Sequence, residues 1–262
     1  MNFNELCKSG REWYNRANYE AAIGLLDMAL KLKPADKETL TGRAFCLMKM
    51  KQYERAIEVF DQLIDSDPID IRALYQKGDC LLELKQFEEA ISCFDVVIAL
   101  HPDDARTYHK KGLCLYQMSK YETARDCFEI SAKQDKTAVF SVMFYGLCSF
   151  WIDQEGDGLK ILQKLCEKYP IETESEYRGI HYQLALCLFV VGDYEEAIQI
   201  CDQLQKKYYE MSSINHVKGI CLQELEKYKE AIYCFEGVYK NDPDYDDAQK
   251  RIIQCKIAIN NE

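Results

Sequence analysis

A 34-residue period runs through almost the whole chain, and no other property restricts the fold as strongly. In the stretch Ile71 to Asp104, Leu74, Gly78, Leu81, Ala90, Phe94 and Pro102 occupy places 4, 8, 11, 20, 24 and 32. Steps of 34 residues return small residues to place 8 (Gly10, Ala44, Gly78, Gly112, Gly146) and to place 20 (Ala22, Ala56, Ala90, Ala124, Gly158). After a slip of five residues the register resumes, with Ala185 and Gly219 at place 8 and Ala197 and Ala231 at place 20. Pro34, Pro68, Pro102, Pro170 and Pro243 recur at place 32, where a residue without an N–H stops a helix from running on. A repeated unit this short cannot bury a core alone, so stability must build up by stacking.

This spacing of small, aromatic and proline residues resembles that of the tetratricopeptide repeat (TPR) family. The resemblance implies an all-α fold, a right-handed α-solenoid of antiparallel helix pairs (a TPR superhelix). Each repeat is then a helix A and a helix B, turning near places 15 and 16. Repeats one to five are expected at 3–36, 37–70, 71–104, 105–138 and 139–172, and repeats six and seven at 178–211 and 212–245, after five added residues, 173–177. Residues 246–262 read as a C-terminal capping helix, with Ala248, Ile252, Cys255 and Ile259 as its apolar stripe and Asp247, Lys250, Arg251 and Asn260 polar. Gly78 should let helix B approach through Ala90, and Lys136 replaces the closing proline in repeat four. Repeat five is irregular: Glu155 stands for the aromatic of place 17 and Gly158 for the alanine of place 20. A glycine inside a helix costs about 1 kcal/mol relative to alanine. Helix B of this repeat is therefore expected to begin late, capped by Asp157, and the added residues form the one candidate joint.

Composition narrows the function. The formal charge of −11, from 33 Lys plus Arg against 44 Asp plus Glu, works against nonspecific binding to nucleic acid, which needs clustered cations. The start MNFNELCKSG lacks the basic and apolar segments of a signal peptide, and no apolar run is long enough for a membrane span. A cytoplasmic or nuclear protein, monomeric on its own and without membrane contact, is expected. Seven of the 13 cysteines, Cys46, Cys80, Cys114, Cys148, Cys187, Cys221 and Cys255, share place 10, and Cys93, Cys127 and Cys234 share place 23. Equivalent cysteines on neighbouring packed helices, roughly 8–10 Å apart, usually exceed disulfide reach. With no C-x-x-C pair and no zinc spacing, they read as small buried hydrophobes, and no metal or cofactor is expected.

No nucleotide-binding, zinc-protease or nucleophile-elbow motif occurs, and repeats leave no room for an inserted catalytic domain, so no enzyme activity is expected. The resemblance implies instead a concave groove lined by places 2, 5, 6, 9, 12 and 13 of the A helices, where the family holds peptides or partner helices. Those places supply a polar group, Arg72, Gln76, Arg106, His109 and Lys110, with Asp79 and Glu83 as local acids. They also supply an apolar group: Phe140, Met143, Phe144, Leu147, Phe150 and Trp151 in repeat five, and Tyr182, Leu186 and Phe189 in repeat six. Aromatic residues and Met anchor partners when exposed together; the alternative is that repeat five buries Phe144, Phe150 and Trp151 itself. Some family members grip chaperone C-termini through a five-residue clamp. Here the corresponding places hold Thr41, Phe45, Gln76, Arg106 and Lys110, of which only the last two match. The expected function is a protein-binding adaptor or scaffold without catalysis, its partner a peptide or amphipathic helix in the groove. The alternatives are a structural subunit contacting partners through its convex face and ends, and a co-chaperone.

Overall fold

The computed structural model describes residues 1–153, 156–171, 175–208, 212–241 and 246–261, and the described residues are helical and turn, without strands. The protein divides into two compact bodies, Met1–Ser141 and Val142–Glu262, and the division falls inside a helix of repeat five rather than at the five added residues. The N-terminal body holds α1 (Phe3–Asn15), α2 (Tyr19–Leu32), α3 (Lys37–Lys49), α4 (Tyr53–Ser66), α5 (Ile71–Glu83), α6 (Phe87–Leu100), α7 (Ala105–Gln117) and α8 (Tyr121–Gln134). Next comes α9 (Val139–Ile152), in which the division lies. The C-terminal body continues with α10 (Asp157–Lys168), a 3₁₀ turn (Ser175–Tyr177), α11 (Arg178–Val191), α12 (Tyr194–Lys207), α13 (Ser212–Glu224), α14 (Tyr228–Asn241) and α15 (Asp246–Asn261). Each body is all-α, a stack of helix pairs in chain order, of TPR type.

Both ends of each regular repeat have a local cause. Helix A closes with the place-16 N–H bonding back to the place-11 carbonyl, as in Asn18 to Trp13 (3.0 Å), Gln52 to Leu47, Gln86 to Leu81, Lys120 to Leu115 and Lys227 to Leu222 (each 2.9 Å). That six-residue closure requires a left-handed residue at place 15. Ala17, Lys51, Lys85, Ser119 and Glu226 adopt it with φ of 57° to 60°, and repeat six alone supplies a glycine, Gly192 at φ 89°. Helix B ends where the residue before proline is forced out of the helical region: Lys33, Asp67 and His101 have φ of −137°, −147° and −136°. In repeat four α8 ends at the same place without the proline, and Asp135 accepts hydrogen bonds from the Thr137 N–H (2.8 Å) and hydroxyl (2.6 Å) instead. An aspartate then starts the next helix, with Asp36 accepting from the Thr39 N–H (3.0 Å) and Asp70 from the Ala73 N–H (3.1 Å).

Within a repeat the two helices meet through a glycine and a ring. A Cβ on Gly78 would lie 2.6 Å from Phe94 Cε1, on Gly112 2.8 Å from Phe128 Cε1, and on Gly219 2.7 Å from Phe235 Cε1. The atoms nearest the place-8 glycine in these repeats are thus those of the place-24 ring, and Ala90 on the same helix B is fully buried. Between repeats, the place-10 cysteines enter the core of the preceding pair: Cys80 joins Leu47, Phe60 and Leu63, Cys114 joins Leu81 and Phe94, and Cys255 joins Leu222 and Phe235. None of the 13 cysteines forms a disulfide, and burial pushes Cys80, Cys114, Cys187 and Cys221 up to about 12, which keeps them protonated and inert.

A second inter-repeat device was not read from the period. A place-7 cation bonds the place-25 aspartate of the preceding repeat in Arg43–Asp27 (2.7 Å), Lys77–Asp61 (2.5 Å), Lys111–Asp95 (2.6 Å) and Lys218–Asp202 (2.5 Å). Tyr145 and Leu184 stand at that place in repeats five and six. Repeat five also departs in how its helices meet. A Cβ on Gly158 would lie 2.6 Å from the Gly146 carbonyl oxygen and 2.7 Å from Phe150 Cα. Here α10 rests on the backbone of α9, so the glycine is needed at place 20 for close approach rather than being a weakness. As expected α10 begins late, at Asp157, but its N-cap is Gly156 and Asp157 is the first helical residue. Glu155, and Thr173 and Glu174 of the candidate joint, lie outside the described residues.

Candidate functional site

The N-terminal body carries an open groove of about 1070 Å³, bounded by α1, α3 and the start of α5. Its walls are A-helix side chains at the expected places: Asn4, Cys7, Lys8, Arg11 and Tyr14 from repeat one, Glu38, Thr41, Gly42 and Phe45 from repeat two, and Arg72 from repeat three. Periodicity explains this arrangement, because places 2, 5, 6 and 9 share the face that the glycine and the ring contacts leave free. Gly42 keeps the middle of the groove open, since a Cβ there would meet only the δ-carbons of Leu26, at 3.7 and 4.0 Å. Cys7 Sγ lies 3.3 Å from the hydroxyl of buried Thr39, and Phe45 meets Phe60 edge-on at 6.4 Å. The Arg72 guanidinium lies 4.9 Å from the centroid of the Phe45 ring.

The charges of the groove are mostly matched within it. Lys37 bonds Asp70 (2.9 Å) and Asp67 (3.3 Å), and these bonds raise the lysine above its ordinary value. Burial pushes the Asp70 carboxyl up, but the bonds from Lys37 and the Ala73 N–H outweigh it and hold the group below the usual carboxylate range. Arg11 reaches Glu38 at 4.0 Å with both side chains exposed. Asp36 is occupied as a helix cap by Thr39. Among the described residues, no carboxylate lies within ion-pair distance of Lys8 or Arg72.

Of the polar residues expected to bind, Arg72 belongs to this groove. Gln76 is half-buried on α5. Arg106 bonds Asp104 (3.2 Å) and lies 5.9 Å from the centroid of the Tyr75 ring, and Lys110 bonds Asp79 (2.8 Å). Both cations are thus already neutralised by carboxylates of their own body. His109 is tied to the packing: its Nδ1 is 2.9 Å from Ser141 Oγ and its ring meets Phe128 edge-on at 5.5 Å. Ser141 Oγ in turn is 2.8 Å from Ser131 Oγ, which donates to the Ala105 carbonyl (2.8 Å). Burial, with a smaller contribution from Lys110, pushes the His109 imidazole down to about 4, so it is neutral at neutral pH.

The apolar group separates by position. Met143, Leu147 and Phe150 are 6%, 1% and 0% exposed, and they are core residues rather than ligand anchors. The cause is the composition of α9, VFSVMFYGLCSFWI, which is apolar around nearly its whole circumference and so buries more than one face. Phe140, in the N-terminal body, is exposed. In the C-terminal body Trp151 is exposed and packs edge-on against Phe150 at 5.3 Å, while Phe144, Tyr182, Leu186 and Phe189 are half-buried. Sequence reasoning named Thr41 and Phe45 only as unmatched clamp places and did not name Lys8. The signal was present in their places, but residue type drew attention to repeats with more aromatics.

Helix pairs in a fixed register, with a groove on the A-helix side of one body, define a tetratricopeptide repeat protein, a class whose members are generally not catalysts. Solved structures agree. A tetratricopeptide repeat protein from Parabacteroides merdae aligns over 97% of this chain and 98% of its own with a TM-score of 0.81 at 13% identity. PilW, a type IV pilus biogenesis factor, aligns over 81% and 96% with a TM-score of 0.71 at 17% identity, and YrrB over 74% and 97% with a TM-score of 0.53 at 18% identity. No curated protein matches the chain. Residues 15–97 and 163–238, more than half of the chain, match the family described as anaphase-promoting complex, cyclosome, subunit 3, and the chain belongs to that family.

Proposed function

We propose that this protein is a non-enzymatic adaptor that holds a peptide or helical segment of a partner protein in the groove of its N-terminal body. The observation that carries this reading is the groove of about 1070 Å³ lined by side chains of three successive A helices. Its volume is at the upper end of small-molecule pockets, and its open form suits a chain segment laid across helices. YrrB, similar in fold, is described as having an unusual peptide-binding site, which supports peptide binding as a use of such a fold. The acidic balance of the chain suits a protein ligand better than nucleic acid, and a cytoplasmic or nuclear monomer without cofactor or membrane contact completes the reading.

A second reading, a structural subunit binding through its outer face, rests on exposed apolar side chains of the B helices. Met28 and Leu32 on α2, Val96 and Leu100 on α6, and Ile130 on α8 share places 26 and 30 and are 36% to 57% exposed. The test is site-specific photo-crosslinking of the intact chain in cell extract. A crosslinker at Thr41 that yields adducts while one at Leu100 does not supports the groove. The reverse pattern moves the partner to the outer face and refutes it.

A further inference from the structure

The groove carries four cations against three carboxylates, on a chain of formal charge −11. Of the seven charged residues that line it, Asp36 caps α3, Glu38 faces Arg11, and Asp70 is bonded by Lys37. Lys8 on α1 and Arg72 on α5 remain, one at each side of the open strip formed by Cys7, Thr41, Gly42 and Phe45. Arg72 is also held ready. Its guanidinium carbon lies over the Phe45 ring, 4.9 Å from the centroid, and with no carboxylate of the described residues within ion-pair distance its N–H groups are open to a carboxylate ligand.

We propose that the segment this groove binds is acidic, an Asp- or Glu-bearing stretch of a partner protein whose carboxylates are held by Arg72 at one side and Lys8 at the other. The inference rests on the groove reading above and adds the chemistry of the ligand. Axes of packed helices are roughly 8–10 Å apart, so α1 and α5, two steps apart, are separated by roughly 20 Å. An extended chain advances about 3.3–3.6 Å per residue, which sets the two acidic positions about five or six residues apart. Apolar or aromatic side chains between them fit the strip beside Phe45 and Gly42. Asp36 and Glu38 on the same rim favour singly charged carboxylates over a dianionic phosphate.

The test is selection from a random twelve-residue peptide library displayed on phage, using the intact chain, a Thr41→Trp chain that fills the groove, and a Lys8→Glu, Arg72→Glu chain. Far-UV circular dichroism and thermal melting confirm that both variants are folded, as the exposed positions of Lys8 and Arg72 and the open Thr41 position lead one to expect. Supporting results are peptides with paired acidic residues at that spacing that lose roughly tenfold in affinity for each cation reversed and weaken with added salt. An Arg72→Lys chain should lose part of this affinity, because lysine keeps the charge but not the fork. Uncharged or basic peptides that are blocked by Thr41→Trp would overturn the acidic ligand and leave the groove standing. Peptides indifferent to Thr41→Trp would overturn the groove reading itself.

Discussion

Three glycine-to-alanine substitutions differ only in what the new methyl group meets, and they form a graded test of how the helix pairs pack. Gly24 in α2 has nothing within 4 Å of an added Cβ, so Gly24→Ala should gain helix propensity alone, about 1 kcal/mol. At Gly78 the Cβ would come to 2.6 Å from Cε1 and 2.9 Å from Cζ of Phe94, a ring that is 0% exposed. Overpacking of this kind costs about 1–3 kcal/mol, and about 1 kcal/mol of propensity offsets it. Repeat two places Ala44 opposite Phe60, so the ring has an arrangement that accepts a methyl group. A net loss of about 1 kcal/mol is expected. At Gly158 the obstacles are the Gly146 carbonyl oxygen at 2.6 Å and Phe150 Cα at 2.7 Å, backbone atoms that move only if α9 and α10 separate. Gly158→Ala should therefore cost about 3 kcal/mol or more. Urea unfolding followed by circular dichroism gives the order, and Trp151 fluorescence in a Trp13→Phe background reports α9 directly. A Gly158→Ala protein as stable as the parent would refute the backbone contact, and a destabilised Gly24→Ala protein would refute the reading of free space.

Four further outcomes follow. Glycine at the left-handed turn positions, as in Lys85→Gly or Ser119→Gly, should stabilise by up to about 1 kcal/mol, and Gly192→Ala should destabilise by a similar amount, as melting curves would show. Asp70 titrates below its unfolded value, so its contribution is complete above about pH 3.9 and disappears as pH falls through the lower folded value. Asp70→Asn should flatten acid unfolding in that window. His109 is also depressed, to about 4, so the unfolded chain binds its proton first and stability should fall as pH drops from about 6.5 toward 4. His109→Gln should make that slope shallower, leaving the part due to His216, which burial also depresses, and an unchanged profile would contradict the buried ring. A double-mutant cycle on Lys77 and Asp61 should give a coupling of about 0.2–1 kcal/mol that shrinks in high salt.

The sequence made the repeat class and much of its packing legible because the period is carried by residues with narrow steric tolerances. Proline at place 32 and a small residue at place 8 leave few alternatives. The place-7 to place-25 ion pairs were equally periodic, since Arg43, Lys77, Lys111 and Lys218 each lie 16 residues after an aspartate. They went unread because exposed charges look alike until a partner is placed beside them. Gly158 was read from propensity, as a weak helical residue, when its value lies in a contact with Gly146 and Phe150 that propensity does not include.

The candidate site divides along the same line. The chain by itself determined the register of each repeat, and the family resemblance that the register carries indicated which places face the groove. Neither determined which face-mates remain available. Arg106 and Lys110 were conspicuous cations, but Asp104 and Asp79 neutralise them; Met143, Leu147 and Phe150 were conspicuous apolar residues, but α9 buries them. Lys8 and Arg72 stand uncompensated only once the neighbouring helices are in place. Burial and charge pairing are sums over neighbours from other repeats, and only the tertiary structure brings those neighbours together.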